Sequence, residues 1–253
     1  MTNSQVSVLR VFWLETYYEC LKSWRMPSYT VPTLAFPLGF YYLFGVVLAG
    51  SSGNNAAQYL LATFGVFAAM GPSMFGFGVG VAMEEEQGQL EMKRVAPMPI
   101  SALVVAKLGT AMAFTAFVLL GLYGIAYFLG GVRLSATTWL SLATIHLLTT
   151  IPFGLIGLTL GLALKGQAAL AVTNIVFMLL SVLGGLWIPI MVFPEVAQTF
   201  AMLLPSYHVG EIALHAVGIN DSGFPFAHWL GVGVTVAIFS LAPWFFWRHK
   251  QSQ

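Results

Sequence analysis

Apolar residues run along this chain in blocks about as long as a bilayer crossing, and polar residues gather in the short gaps between them. A hydrocarbon core of ~30 Å is crossed by a helix of about 20 apolar residues. Six blocks meet that length: 31–50, 57–83, 102–129, 139–164, 168–193 and 226–247. Region 194–225 is apolar too, but Pro194, Glu195, Pro205, Glu211 and Asp221 interrupt it. It predicts one or two short external helices, interfacial or re-entrant. With no linker or low-complexity tract, 1–253 reads as a single all-α, polytopic membrane domain with six transmembrane helices.

Ahead of the first block, "VLRVFWLETYYECLKSWRMP" mixes charges with Val8, Val11, Phe12, Leu14 and Leu21 at helical spacing. Trp13, Tyr17, Tyr18 and Trp24 suit the headgroup region. Within 1–30 this predicts an amphipathic helix lying in the interface; the plainer alternative is a cytosolic helix. Glu15, Glu19, Lys22 and Arg25 leave no continuous apolar core of a secretory signal there.

Composition agrees with the pattern. Hydrophobic residues make up 58% and charged residues 8%, against about 25% charged in soluble domains. The chain is therefore expected in a membrane. A net charge of +1 gives no footprint for nucleic acid. The single Cys20 excludes an intrachain disulfide.

Basic residues set the expected orientation. Arg10, Lys22, Arg25, Lys93, Arg94, Lys107, Lys165, Arg248 and Lys250 fall on one side of a six-span arrangement, and Arg133 on the other. Both termini are then expected in the cytoplasm, with the chain in the cell inner membrane.

Between spans two and three, "MEEEQGQLEMKRVAPMPIS" (83–101) holds six of the nineteen charged side chains. On a helix, Gln87, Glu91 and Arg94 share a face, and Glu91 with Arg94 forms a favourable pair. Pro97 and Pro99 break the helix, and Ser101 can cap span three. Topology requires only the basic residues, so the carboxylates Glu84, Glu85, Glu86 and Glu91 point to a cytosolic partner; a solvated turn is the plainer reading.

"EEEQGQLEMKRVAPMPISALVVAK" resembles the cytoplasmic loop of ATP-binding-cassette type-2 exporter permeases, with Gly88, Leu90, Glu91, Pro99, Ser101 and Lys107 in the matching places. "SVLGGLWIPIMVFPEVAQTFAMLLPSYHVGEIALH" resembles the family's end of span five and the helical pair after it, through Gly184, Gly185, Pro189, Pro194, Pro205, Tyr207 and Glu211. His215 departs from a position that is often basic in relatives. The resemblance implies an exporter half: two permease copies above two cytosolic ATPase subunits that carry ATP and magnesium. It implies that Glu84, Glu85, Glu86, Gly88, Glu91, Lys93 and Arg94 couple to the ATPase. It also implies that spans two and five line a path between protomers. No G-x-x-x-x-G-K-[ST] phosphate loop occurs in the chain itself.

In span two, Phe64, Phe67, Gly71, Met74, Phe75 and Gly78 share one helical face. Gly76 and Gly80 form a G-x-x-x-G pair suited to close packing on another. In span five, Asn174, Phe177, Met178, Ser181 and Gly185 share a mixed face. Met and aromatic surfaces suit an amphipathic, drug-like, lipid-like or glycolipid cargo; plain helix packing is the alternative for each residue.

Other constellations carry less. His208, Glu211 and His215 lie on one helical face with metal-binding side chains, but without H-E-x-x-H they read as the polar face of an external helix. His146 lies inside span four, where neighbouring hydroxyls at Thr149 and Thr150 can satisfy it. An ion-gradient-driven secondary transporter is the alternative function, and it would place acids near the midplane.

Overall fold

The computed structural model describes residues 8–48, 54–90, 92, 100–220 and 226–251. Among them all regular structure is helical. Five segments are long and apolar enough to cross a membrane: Pro27–Leu48, Asn55–Glu86, Ala102–Phe128, Ala136–Ala163 and Gly166–Leu183, here spans one to five. The sixth expected block forms the helix Phe226–Gln251. Its apolar stretch among the described residues, Phe226–Leu241, is shorter than the other five.

Each helix carries its reasons locally. Span one starts at Pro27, where a missing N–H costs nothing. Pro32 and Pro37 lie inside it, and it loosens into π-helical turns over Tyr42–Leu48. Span two is the most deeply buried of the five. It runs as α-helix over Asn54–Met74, as π-helix over Phe75–Val79 and as α-helix again over Gly80–Glu86. Span four begins on the Ser135 side chain, which accepts from the Thr138 N–H at 3.1 Å, and steps at Thr149 between Ala136–Leu148 and Thr150–Ala163.

Span five stops at Leu183, well short of residue 193. Gly185 takes a left-handed φ of +77° there, which glycine adopts at little cost. The Ser206 hydroxyl donates to the Leu180 carbonyl at 2.7 Å and so satisfies the exposed helix end. Beyond it come a 3₁₀ turn at Ile190–Val192 and two short helices, Glu195–Ala201 and Pro205–Ala216.

Close packing of spans two and four uses glycines other than the expected pair. A Cβ on Gly78 would stand 2.9 Å from the Gly157 carbonyl oxygen, and one on Gly157 would stand 2.7 Å from that of Met74. A Cβ on Gly161 would collide with the Gly78 carbonyl. Gly76 and Gly80 instead face Tyr29 and Lys107. The π turn rotates them off the face that their spacing implied.

His146 joins three spans. It is fully buried, with Nε2 2.9 Å from the Ala62 carbonyl and Nδ1 2.9 Å from the Tyr123 hydroxyl. A carbonyl only accepts, so Nε2 carries the proton and Nδ1 accepts from Tyr123. Thr149 and Thr150 are not its partners; they donate to their own helix at Ile145 and Leu147.

The N-terminal helix, Val8–Trp24, packs along span three. Its buried acid is Glu19, while Trp13, Tyr17 and Tyr18 face outward. Trp24 meets Phe114 and Phe117 of span three, with ring centroids 5.7 and 5.2 Å away.

Candidate functional site

Four charged side chains from three segments meet where the N-terminal helix crosses spans two and three. Glu84 ends span two only 2% exposed, Lys107 of span three is 6% exposed, and Glu19 of the N-terminal helix is 7% exposed. The Lys107 ammonium donates to Glu84 Oε1 at 2.9 Å and lies 3.5 Å from Glu19 Oε2. Lys22, half-exposed, donates to the same Glu84 Oε1 at 2.7 Å. Among the described residues Glu84 Oε2 has no hydrogen-bond partner. Unpaired charges at such burial would be very costly, so the pairing is a condition of the fold.

This geometry corrects the expected place of Glu84. It does not stand on the solvated run but turns inward as the centre of the cluster. The rest of the run divides. Glu85 is half-buried and Glu86 exposed. A Cβ on Gly166, the first residue of span five, would collide with the Glu86 carboxylate, so the acid sits at that helix's positive end. Gly88 takes a φ of +70° and ends the helical run. Leu90 is buried against Phe77, Val81 and Leu103. Glu91, Lys93 and Arg94 lie outside the described residues.

Above the charges opens a cavity of about 700 Å³. Its floor is Glu19, Lys22, Glu84 and Lys107. Span one contributes Phe36 and Phe40, span two Phe67, Phe75, Gly76 and Gly80, and span five Asn174, Phe177 and Met178. Trp187 joins the wall, its ring 5.2 Å from Phe40 and 5.4 Å from Phe67. Phe177 contacts both Phe67 and Phe75.

Two residues expected beside these do not line the cavity. Met74 is fully buried, with its backbone against Gly157. Ser181 is buried and donates to the Phe177 carbonyl at 2.7 Å. Both point to the side of their helices that packs inside the bundle.

The sequence reading missed the joining of Glu19 and Lys22 to Glu84 and Lys107. The signals were present: a lysine inside a membrane helix needs a partner, and Glu19 and Lys22 are spaced i, i+3 on one face.

At the other end of the bundle the three candidate metal-binding side chains separate. His208 turns to His228 of the last helix, Nδ1 to Nδ1 at 3.1 Å, with the Tyr207 ring against both. Glu211 accepts from the Asn220 amide. Burial, and then the neighbouring His228, lower the His208 pKa below the usual histidine value. Near the N-terminus, burial raises the Cys20 thiol above its usual value.

The ABC-2 type transporter family matches residues 10–217, a stretch that holds the whole charge cluster and every wall of the cavity. The chain belongs to that family. A relative in Bacillus subtilis (strain 168), named "Putative transport permease YvfS", is 27% identical over 195 residues, covering 76% of this chain and 80% of the relative. With five membrane-length helices among the described residues, the chain is a multi-pass membrane permease of the ABC-2 type.

Proposed function

We propose that the chain is the membrane-spanning, non-catalytic subunit of an ATP-driven exporter. In this reading 1–253 forms one permease domain in the cell inner membrane, with both termini cytoplasmic. Two copies enclose the path, and two cytosolic ATPase subunits beneath bind ATP and magnesium. The last helix completes six crossings, and the N-terminal helix lies in the cytoplasmic interface with Trp13, Tyr17 and Tyr18 toward lipid. The observation that carries the reading is the cavity: aromatic walls from spans one, two and five, closed at one end by buried charge. Such a surface suits an amphipathic cargo. Phe67, Phe75, Asn174, Phe177 and Met178 are its path residues.

Coupling runs through the loop that follows span two. Glu85, Glu86, Gly88, Glu91, Lys93 and Arg94 meet the ATPase, and Glu84 holds the loop's root in place. Because Glu86 also touches the start of span five, movement of the loop reaches both path helices. The test is purification of the complex with wild-type, Glu86→Lys or Glu91→Lys permease, followed by transport-linked ATP hydrolysis. Removing one side of a charged contact at an interface costs about 2–5 kcal/mol. Both variants should therefore insert normally yet recover the ATPase at least about tenfold less well. Normal recovery and hydrolysis in both would overturn the coupling role. Transport that persists without ATP would overturn the energy source and favour an ion gradient.

A further inference from the structure

At the end of the bundle away from the charge cluster, two imidazoles from different helices are held together. His208 lies in the first turn of Pro205–Ala216, and His228 in the first turn of Phe226–Gln251. Their Nδ1 atoms stand 3.1 Å apart. The His208 ring rests on Gly231, one turn beyond His228, where a Cβ would collide with it. The Tyr207 ring meets both imidazoles, with centroids 5.6 Å away. Both histidines are only half-buried, so the pair is seated by its neighbours yet still accessible.

One Nδ1–H donating to the other Nδ1 accounts for the pair as it stands. The same spacing suits a metal ion. Zinc binds imidazole nitrogen at about 2.0–2.1 Å, which sets two nitrogens on one ion about 2.9 Å apart at a right angle and about 3.3 Å apart at the tetrahedral angle. The observed spacing falls between these values, so small rotations of the two rings aim both lone pairs at one ion. The donating ring then moves its proton from Nδ1 to Nε2, which leaves a lone pair on each Nδ1. Among the described residues no third side chain of metal-binding type joins the pair, and Glu211 is held by Asn220. The remaining coordination positions are therefore left to water. An all-imidazole donor set favours late first-row ions, whereas magnesium and calcium prefer oxygen. We infer that His208 and His228 bind one divalent late first-row ion, zinc or copper(II), through their Nδ1 atoms. The ion ties the last helix to Pro205–Ala216, and the contact gains stability as the ion concentration rises above its Kd. The inference is independent of the cargo and coupling readings.

The test uses the full-length chain in detergent, without a histidine tag and without ATPase. Zinc is titrated in competition with a chromogenic zinc indicator, with magnesium as the control ion. Wild type should take up one zinc ion per chain and no magnesium at the same concentrations. His208→Gln and His228→Gln each remove one of the two protein bonds, and each should bind zinc at least about tenfold more weakly. His215→Gln, on the same short helix but outside the pair, should bind zinc as wild type does. A second measurement needs no variant to fold. With less than one equivalent of copper(II), electron paramagnetic resonance of the wild-type chain should show splitting from two coordinated nitrogens. No saturable zinc binding to wild type, an affinity unchanged in both pair variants or lowered equally by His215→Gln, or a copper spectrum without two coupled nitrogens would overturn the inference.

Discussion

Lys107 has two carboxylates within reach and almost no water, whereas Lys22 shares one of those carboxylates from a half-exposed position. The two lysines should therefore respond very differently to removal. Lys107→Met leaves Glu19 and Glu84 facing each other in a buried site, a change that costs about 3–5 kcal/mol. Lys22→Ala removes a screened contact, with an expected loss of about 1 kcal/mol or less. Thermal unfolding of the detergent-solubilised chain should rank them in that order, and Lys107→Met paired with Glu84→Gln should recover part of the loss. Equal effects would show that the cluster is not the closed, water-poor arrangement described. Glycines offer a second contrast. Gly157→Ala drives a methyl into the Met74 backbone, an overpacking worth about 1–3 kcal/mol. Gly76→Ala meets only the Tyr29 hydroxyl, at 3.4 Å, and should unfold within a few degrees of wild type.

Among the elements, hydropathy made the helices legible because burial in lipid demands long apolar runs whatever the neighbours are. Helix ends and inward faces were less legible. Span five was expected to reach 193 because its composition stays apolar, yet a left-handed glycine at 185 ends it near 183. The face of span two was misjudged because the π turn at Phe75–Val79 breaks the 3.6-residue register that placed Gly76 and Gly80 against a neighbour. The same turn separates Met74, packed on span four, from Phe75, on the cavity wall. Five expected path residues (Phe67, Phe75, Asn174, Phe177 and Met178) do share one cavity. The charge cluster was hidden because the members that pair lie 23 to 88 positions apart in sequence. The last two helices carry a pH prediction. His208 Nδ1 faces His228 Nδ1 at 3.1 Å, where one nitrogen must accept, so a proton added to His208 opposes the contact; Tyr207, Glu211 and His215 are the other titratable groups on the same short helix. The His208 pKa is lowered in the folded chain, so the unfolded chain takes up the proton first, at about pH 6.5. The stabilising effect is therefore present above that pH and is lost as the pH falls further. Protection of the Pro205–Ala216 amides against hydrogen exchange, corrected for the intrinsic fall in exchange rate with pH, should decrease on acidification from pH 7.5 to about 5, and His228→Asn should flatten the response. An unchanged profile in wild type would contradict it.

At the scale of the whole molecule, the distribution of burial singles out one side. Spans one and five are the least buried of the five, and they border the cavity with Phe36 and Met178 still exposed. A path for a polar head cannot remain open to lipid along its length, since each unsatisfied polar group there is costly. In the dimer proposed above, a second copy against the same spans would close the cavity, and a two-fold arrangement would bring like residues of span five together. Single cysteines at Met178 or Leu179, in a Cys20→Ser background, should therefore cross-link two chains in native membranes when oxidised. A cysteine at Val234, exposed on the last helix, should not. Dimer bands that appear for Val234→Cys and not for either span-five variant would move the interface to the opposite side and leave the cavity open to lipid. In that case the cavity would be a lipid site of a single chain, and the path would have to be sought elsewhere in the bundle.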